Sequence, residues 1–151
     1  VADENVRRLY LGEGFSLFGS LAWQEGEADA FPTASAAPVR APMSRMHPLL
    51  GVPGLRWDSF NRRLPIFIEV FGLLAAKQDR LSPDDERDTQ RIPPGGTPGY
   101  ATLNLRAGYD WKGKVKAVAA LENVLDEDYR IHGSGYNQPG RNFKLSLEYR
   151  F

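Results

Sequence analysis

The last nine residues alternate without exception. Phe143, Leu145, Leu147, Tyr149 and Phe151 fall on one parity, and Lys144, Ser146, Glu148 and Arg150 on the other. An extended chain sends successive side chains to opposite faces, so this stretch predicts a strand with one greasy face and one that tolerates water. The same split runs over 101–111, where Ala101, Leu103, Leu105, Ala107, Tyr109 and Trp111 oppose Thr102, Asn104, Arg106, Gly108 and Asp110. It continues in Val115, Ala117, Ala119 and Leu121 against Lys114, Lys116 and Glu122. Earlier, Phe15, Leu17, Gly19, Leu21 and Trp23 oppose Ser16, Ser20 and Gln24, with Phe18 and Ala22 as imperfections, and Leu55 and Trp57 oppose Arg56 and Asp58. In all five segments the charged residues keep to the polar parity.

The connections carry a second signal. An odd-length loop preserves parity between the strands it joins, and parity is preserved across Lys112-Gly113-Lys114, which predicts a three-residue hairpin loop with a left-handed Gly113. Asp110 then stands opposite Lys116. Gly12-Glu13-Gly14 is expected to do the same between Leu11 and Phe15. Short connections near 12–14, 59–63 and 112–114 alternate with long ones near 25–45, 79–98 and 125–141. Tight turns at one end and long loops at the other describe a transmembrane β-barrel wall, whose strands need about 9–11 residues to cross a bilayer.

Two segments fit less cleanly. Residues 64–77 place Ile66, Ile68, Val70 and Leu74 on one face, yet Phe67, Phe71 and Leu73 share the other with Glu69 and Lys77. A buried helix from Glu69 to Leu81 is the alternative there. In 1–11, Arg7 falls on the greasy parity, which predicts a partial or frayed strand.

Alternation also describes a soluble antiparallel barrel or sandwich with its apolar face inward, binding a small apolar ligand. Tyr109, Trp111, Tyr149 and Phe151 favour the membrane, because they gather at the strand ends nearest the short turns, where an interfacial aromatic girdle lies. Trp23 and Trp57 also fall near strand ends. The greasy parity includes Ala101, Ala107, Ala117 and Ala119, which lipid accepts and a soluble core packs poorly. No run of 18 apolar residues occurs, so a spanning helix is not expected. The chain starts at Val1 without a basic and apolar leader, so any signal peptide is expected to be removed or upstream.

On these residues the chain resembles the C-terminal barrel of TonB-dependent outer-membrane receptors. Glu122-Asn123-Val124-Leu125-Asp126-Glu127-Asp128-Tyr129 is similar to that family's penultimate-strand motif, and Pro139-Gly140-Arg141-Asn142-Phe143 to its lead into the last strand. Asp79 to Pro83 and Arg91 to Tyr100 look like its loop leading into a strand. The resemblance implies an all-β fold, an antiparallel meander of about seven strands forming part of a transmembrane wall, with 1–151 as a single C-terminal segment. The plug domain, the TonB box and the earlier strands of such 22-stranded receptors are absent. The chain is thus expected to be a domain-sized piece or a short relative that closes differently, a short independent outer-membrane barrel.

The resemblance further implies a bacterial outer membrane location and a role in importing siderophore- or cobalamin-like ligands. Its implied partners are the lipid bilayer, the receptor's own plug and remaining strands, and indirectly the TonB system and the barrel-assembly machinery. Arg91, Tyr129, His132, Tyr136 and Arg141 become candidate ligand-loop residues, with the alternative that Tyr129 anchors its loop on the rim. Arg106, Lys116, Glu122, Lys144, Glu148 and Arg150 become lumen-facing. Phe143, Leu145, Leu147, Tyr149 and Phe151 become the lipid-facing assembly signal.

Catalytic chemistry finds little footing, and no enzyme activity or cofactor is expected. Lys and Arg number 19 and Asp and Glu 19, which argues against a nucleic-acid surface, and the absence of cysteine excludes thiolate sites and a Cys nucleophile. His47 and His132 stand far apart in sequence with no i, i+4 partner, so no zinc site is expected. Gly133-Ser134-Gly135 lacks the strand-to-helix setting of a nucleophile elbow. Asp84, Asp85, Glu86 and Asp88 do not follow calcium-loop spacing, and with Arg80, Arg87 and Arg91 interleaved they read as a self-paired solvated loop.

Overall fold

The computed structural model describes residues 7–31, 33–59 and 65–151. Its strands are β1 (Arg7–Gly12), β2 (Phe15–Ala22), β3 (Glu27–Ala30), β4 (Val39–Pro42), β5 (Leu50–Asp58), β6 (Ile66–Ala75), β7 (Tyr100–Trp111), β8 (Val115–Glu122) and β9 (Asn142–Tyr149), with one short helix, α1 (Pro83–Arg87). Seven strands form a single sheet in the order β1, β2, β5, β6, β7, β8, β9, and β3 pairs with β4 in a separate hairpin. Every pairing is antiparallel. The all-β meander expected from the alternation is the observed fold.

The turn at 112–114 has the expected form. Trp111 pairs with Val115 and Asp110 with Lys116, while Lys112 and Gly113 take φ of 54° and 70°. Asp110 also accepts the Gly113 N–H at 2.9 Å. The turn at 12–14 differs from expectation. Gly12 already pairs with Phe15, leaving Glu13 (φ 48°) and Gly14 (φ 84°) as a two-residue turn, and a bulge between Tyr10 and Gly12 absorbs the odd residue. Two left-handed residues match the twist of the strands they join, and the bulge keeps Leu9 and Leu17 on one face. Of the 59–63 connection, residues 60–63 lie outside the described residues, as do 1–6.

Residues 66–75 are extended, so the helix over 69–81 is not formed. What made the polar face of β6 look too greasy has a local cause. Phe67 lies over Gly108 of β7, and Phe18 of β2 lies over Gly54 of β5, each ring occupying the space a Cβ would fill. Phe18 and Phe71 meet at 6.4 Å between ring centroids. Large side chains beside missing ones keep this face close-packed, and the rings carry cations: Arg56 sits 3.9 Å over Phe67 and Arg106 4.9 Å over Phe71.

Burial is inverted relative to a water-soluble sheet. On the interior strands, Glu69, Thr102 and Asn104 are buried, at 6%, 3% and 2% exposure, while Ile68, Val70, Leu74 and Leu105 on the opposite face are exposed. Among the described residues the only buried hydrophobic side chains are Ala41 and Ile92, neither in the seven-stranded sheet. Leaving a Leu, Ile or Val side chain in water forfeits about 1.5–3 kcal/mol. A face built of Leu17, Leu21, Leu55, Ile68, Val70, Leu74 and Leu105 therefore requires an apolar medium.

The long connections pack on one another. Ser82 caps α1 by accepting the Asp85 N–H at 3.1 Å, and the Asp85 carboxylate accepts the Ser82 N–H at 3.2 Å in return. The same carboxylate accepts from Ser44 Oγ at 2.7 Å and the Arg45 N–H at 3.1 Å. The acidic segment is thus only partly self-paired. Arg87 does meet Asp84, and Arg91 meets Asp88 at 3.1 Å, but Arg80 turns instead to Glu25 and Glu27.

Candidate functional site

The polar face of the sheet carries a ladder of paired charges. Arg56, Glu69 and Arg106 are successive partners across β5, β6 and β7. Glu69 receives Arg56 Nη1 at 2.7 Å and Arg106 Nη1 at 3.5 Å, while Arg56 also grips Asp58 through Nε and Nη2 at 2.7 and 2.6 Å. Lys144 meets Glu122, and Arg150 meets Glu148, each at 2.7 Å. Lys116 stands opposite both Asp110 and Glu148 in register. The structure thus brings Arg106, Lys116, Glu122, Lys144 and Glu148 onto one face. The exposed Lys144–Glu122 and Arg150–Glu148 pairs contribute about 0–1 kcal/mol each, whereas Glu69 is buried between its two arginines, and together they leave a polar, near-neutral face.

At the long-loop end, the motif beginning at Glu122 is a knot of hydrogen bonds. Asn123 is buried with φ 49°, and its N–H donates to Asn104 Oδ1 at 3.0 Å. Its amide donates to the carbonyls of Glu127 at 2.8 Å and Pro139 at 3.3 Å, and its Oδ1 accepts the Glu127 N–H at 2.9 Å. Asn tolerates the left-handed region and offers both donor and acceptor, which explains the residue type. Asp126 then accepts the Arg141 N–H at 2.7 Å, and Arg141 Nε donates to the Val124 carbonyl at 3.0 Å. Tyr129 packs against Tyr100 with centroids 4.5 Å apart.

The five candidate ligand-loop residues therefore separate by position. Arg141 and Tyr129 fold the loop onto the end of the sheet. Arg91 pairs with Asp88 and lies against Gly135, joining the second and third long loops. Tyr136 is exposed. His132 is buried, with Nδ1 2.9 Å from Thr97 Oγ1. Burial pushes its imidazole below the ordinary histidine value, Asp85 opposing and His47 reinforcing the shift, so the ring is neutral at neutral pH.

His132 and His47 line one cavity of about 150 Å³, together with Tyr100, Arg130, Pro98 and Ile131. Sequence spacing did not reveal this meeting, because 85 positions separate the two and only the docking of the first long loop on the third joins them. A second cavity, about 210 Å³, shares His47 and is lined by Trp23, Met46 and Arg80. A third, about 400 Å³, lies between Tyr100, Tyr129 and Arg130. Among the described residues no group of three His, Cys, Asp or Glu could hold a metal ion.

A sequential antiparallel meander, an apolar face turned outward and long connections gathered at one end define part of a transmembrane β-barrel wall. In fold the chain is similar to the copper transporter OprC, with a TM-score of 0.70 over 95% of this chain at 18% identity. It spans 22% of that transporter's length. No family model and no curated protein matches the chain.

Proposed function

We propose that this chain forms wall strands and outer loops of a TonB-dependent outer-membrane receptor that imports a scarce ligand of the siderophore or cobalamin type. The observation that carries the reading is the inversion of burial: Glu69, Thr102 and Asn104 are buried on one face while Ile68, Val70 and Leu105 are exposed on the other. Lipid stabilises the second face, and the charge ladder borders a watery lumen. The motif from Glu122 to Tyr129 and the likeness in fold to a transporter support the finer reading.

In this reading β1 and β9, the outer strands of the seven-stranded sheet, pair with further strands of the same receptor, since an unpaired strand edge in lipid leaves backbone groups unsatisfied. The ladder residues face the plug domain. The segment itself performs no catalysis; it insulates, shapes the vestibule and supports the loops. A metal ion as cargo is the second reading, favoured by the copper transporter's similar fold.

The test is cell fractionation combined with gel mobility before and after boiling. The full receptor should partition with the outer membrane, require detergent, and change mobility on heating. A protein that stays monodisperse without detergent would return the soluble barrel or sandwich reading.

A further inference from the structure

His132 is buried at 7% exposure, its Nδ1 is engaged by Thr97, and its Nε2 has no hydrogen-bond partner. A buried imidazole nitrogen left unpaired forfeits its hydration without a compensating bond, so a group retained in this state calls for a partner. The cavity it lines holds a second imidazole, His47, and is otherwise walled largely by Pro48, Leu50, Ala75 and Ile131. Next to His47, Met43 and Met46 converge on Gly26. Met43 Sδ stands 2.8 Å and Met46 Cε 3.7 Å from where a Cβ on Gly26 would lie.

The geometry points to a binding site for a soft monovalent metal ion, Cu(I) or its redox-inert analogue Ag(I), with His47 and His132 as ligands and the Met46 thioether in the adjoining cavity that shares His47. In this assignment His132 Nδ1–H donates to Thr97 Oγ1 across the 2.9 Å contact and Nε2 keeps its lone pair for the metal, the arrangement that fixes the tautomer of a metal-binding histidine. Imidazole and thioether donors select Cu(I) over hard ions. Zn²⁺ would need about four ligands, and no carboxylate lines this cavity. The site rests on the metal-cargo reading for its role in uptake, whereas the donor set alone argues for binding.

The test titrates the full receptor in detergent with Cu(I) under ascorbate, in competition with a chromophoric Cu(I) chelator, and in parallel with Ag(I). The receptor should withdraw one equivalent per chain, and His132→Gln and His47→Ala should each weaken capture by about tenfold or more. His132→Gln keeps a polar partner for Thr97 while removing the basic nitrogen, which guards against loss of the loop fold. Failure to withdraw metal, or variants that capture it like the parent, would overturn the site. Heat-modified mobility of the same samples reports the barrel separately. A folded barrel indifferent to both ions refutes the site alone, and absence of heat-modified mobility refutes the wall reading.

Discussion

The ring of Phe67 on β6 occupies the space above Gly108 on β7 where a side chain would otherwise begin. Arg56 lies on the same ring, so one glycine seats an aromatic that in turn seats a cation. Gly108→Ala should therefore destabilise the sheet by about 1–3 kcal/mol through overpacking, and much less in a Phe67→Ala background. Urea titration of refolded protein measures both. Equal costs in the two backgrounds would show that the ring and the glycine are not coupled.

Leu147 and Ser146 are neighbours on opposite faces of β9, paired with Ala117 and Val118. On the lipid-facing assignment Leu147→Arg costs about 2–4 kcal/mol near the bilayer midplane, and Ser146→Arg far less. Refolding into detergent or lipid, scored for each variant, checks the difference. Small and equal effects would reject the assignment of faces.

Asn123 combines a left-handed backbone with hydrogen bonds to Glu127 and Pro139. Asn123→Ala loses the side-chain bonds and keeps the unfavourable φ, for a cost of about 2–4 kcal/mol, whereas Asn123→Gly removes only the bonds and should cost about 1 kcal/mol less. Denaturant midpoints of the two variants give the comparison. The reverse order would mean that the backbone conformation is not the constraint.

The Asp85 carboxyl is held below its ordinary value. Its burial acts in the opposite direction but is outweighed by hydrogen bonds from Ser44, Ser82 and Arg45. A group whose folded value is depressed contributes stability above its unfolded value, about 4, and loses it as pH falls through the folded one. Amides of 44–45 and 82–88 should lose protection from hydrogen exchange, corrected for intrinsic rates, as pH drops below about 4. Asp85→Asn should be less protected at neutral pH and flat across the same interval. Parallel profiles for parent and variant would assign the acid response to another group.

Much of the sheet was readable because alternation is a local property. Leu145 and Lys144 disclose their faces by adjacency alone, and the 112–114 loop length determined the opposition of Asp110 and Lys116. The β6 segment resisted because Phe67 and Phe71 are greasy residues on a polar face, and their justification lies on other strands, at Gly108, Phe18 and Arg106. The turn at Glu13 and Gly14 departs from the three-residue expectation because a bulge and a shorter turn preserve parity just as a three-residue loop does.

The amino-acid order alone determined that this chain forms strands with one apolar and one polar face, since a two-residue period is written into neighbouring positions. Tertiary structure decided that the apolar face is the exposed one, that Asn123 ties 104, 127 and 139 together, and that His47 and His132 share a cavity. Those relations join residues tens of positions apart, and only pairing of strands and docking of loops brings such distant atoms within hydrogen-bonding or packing reach.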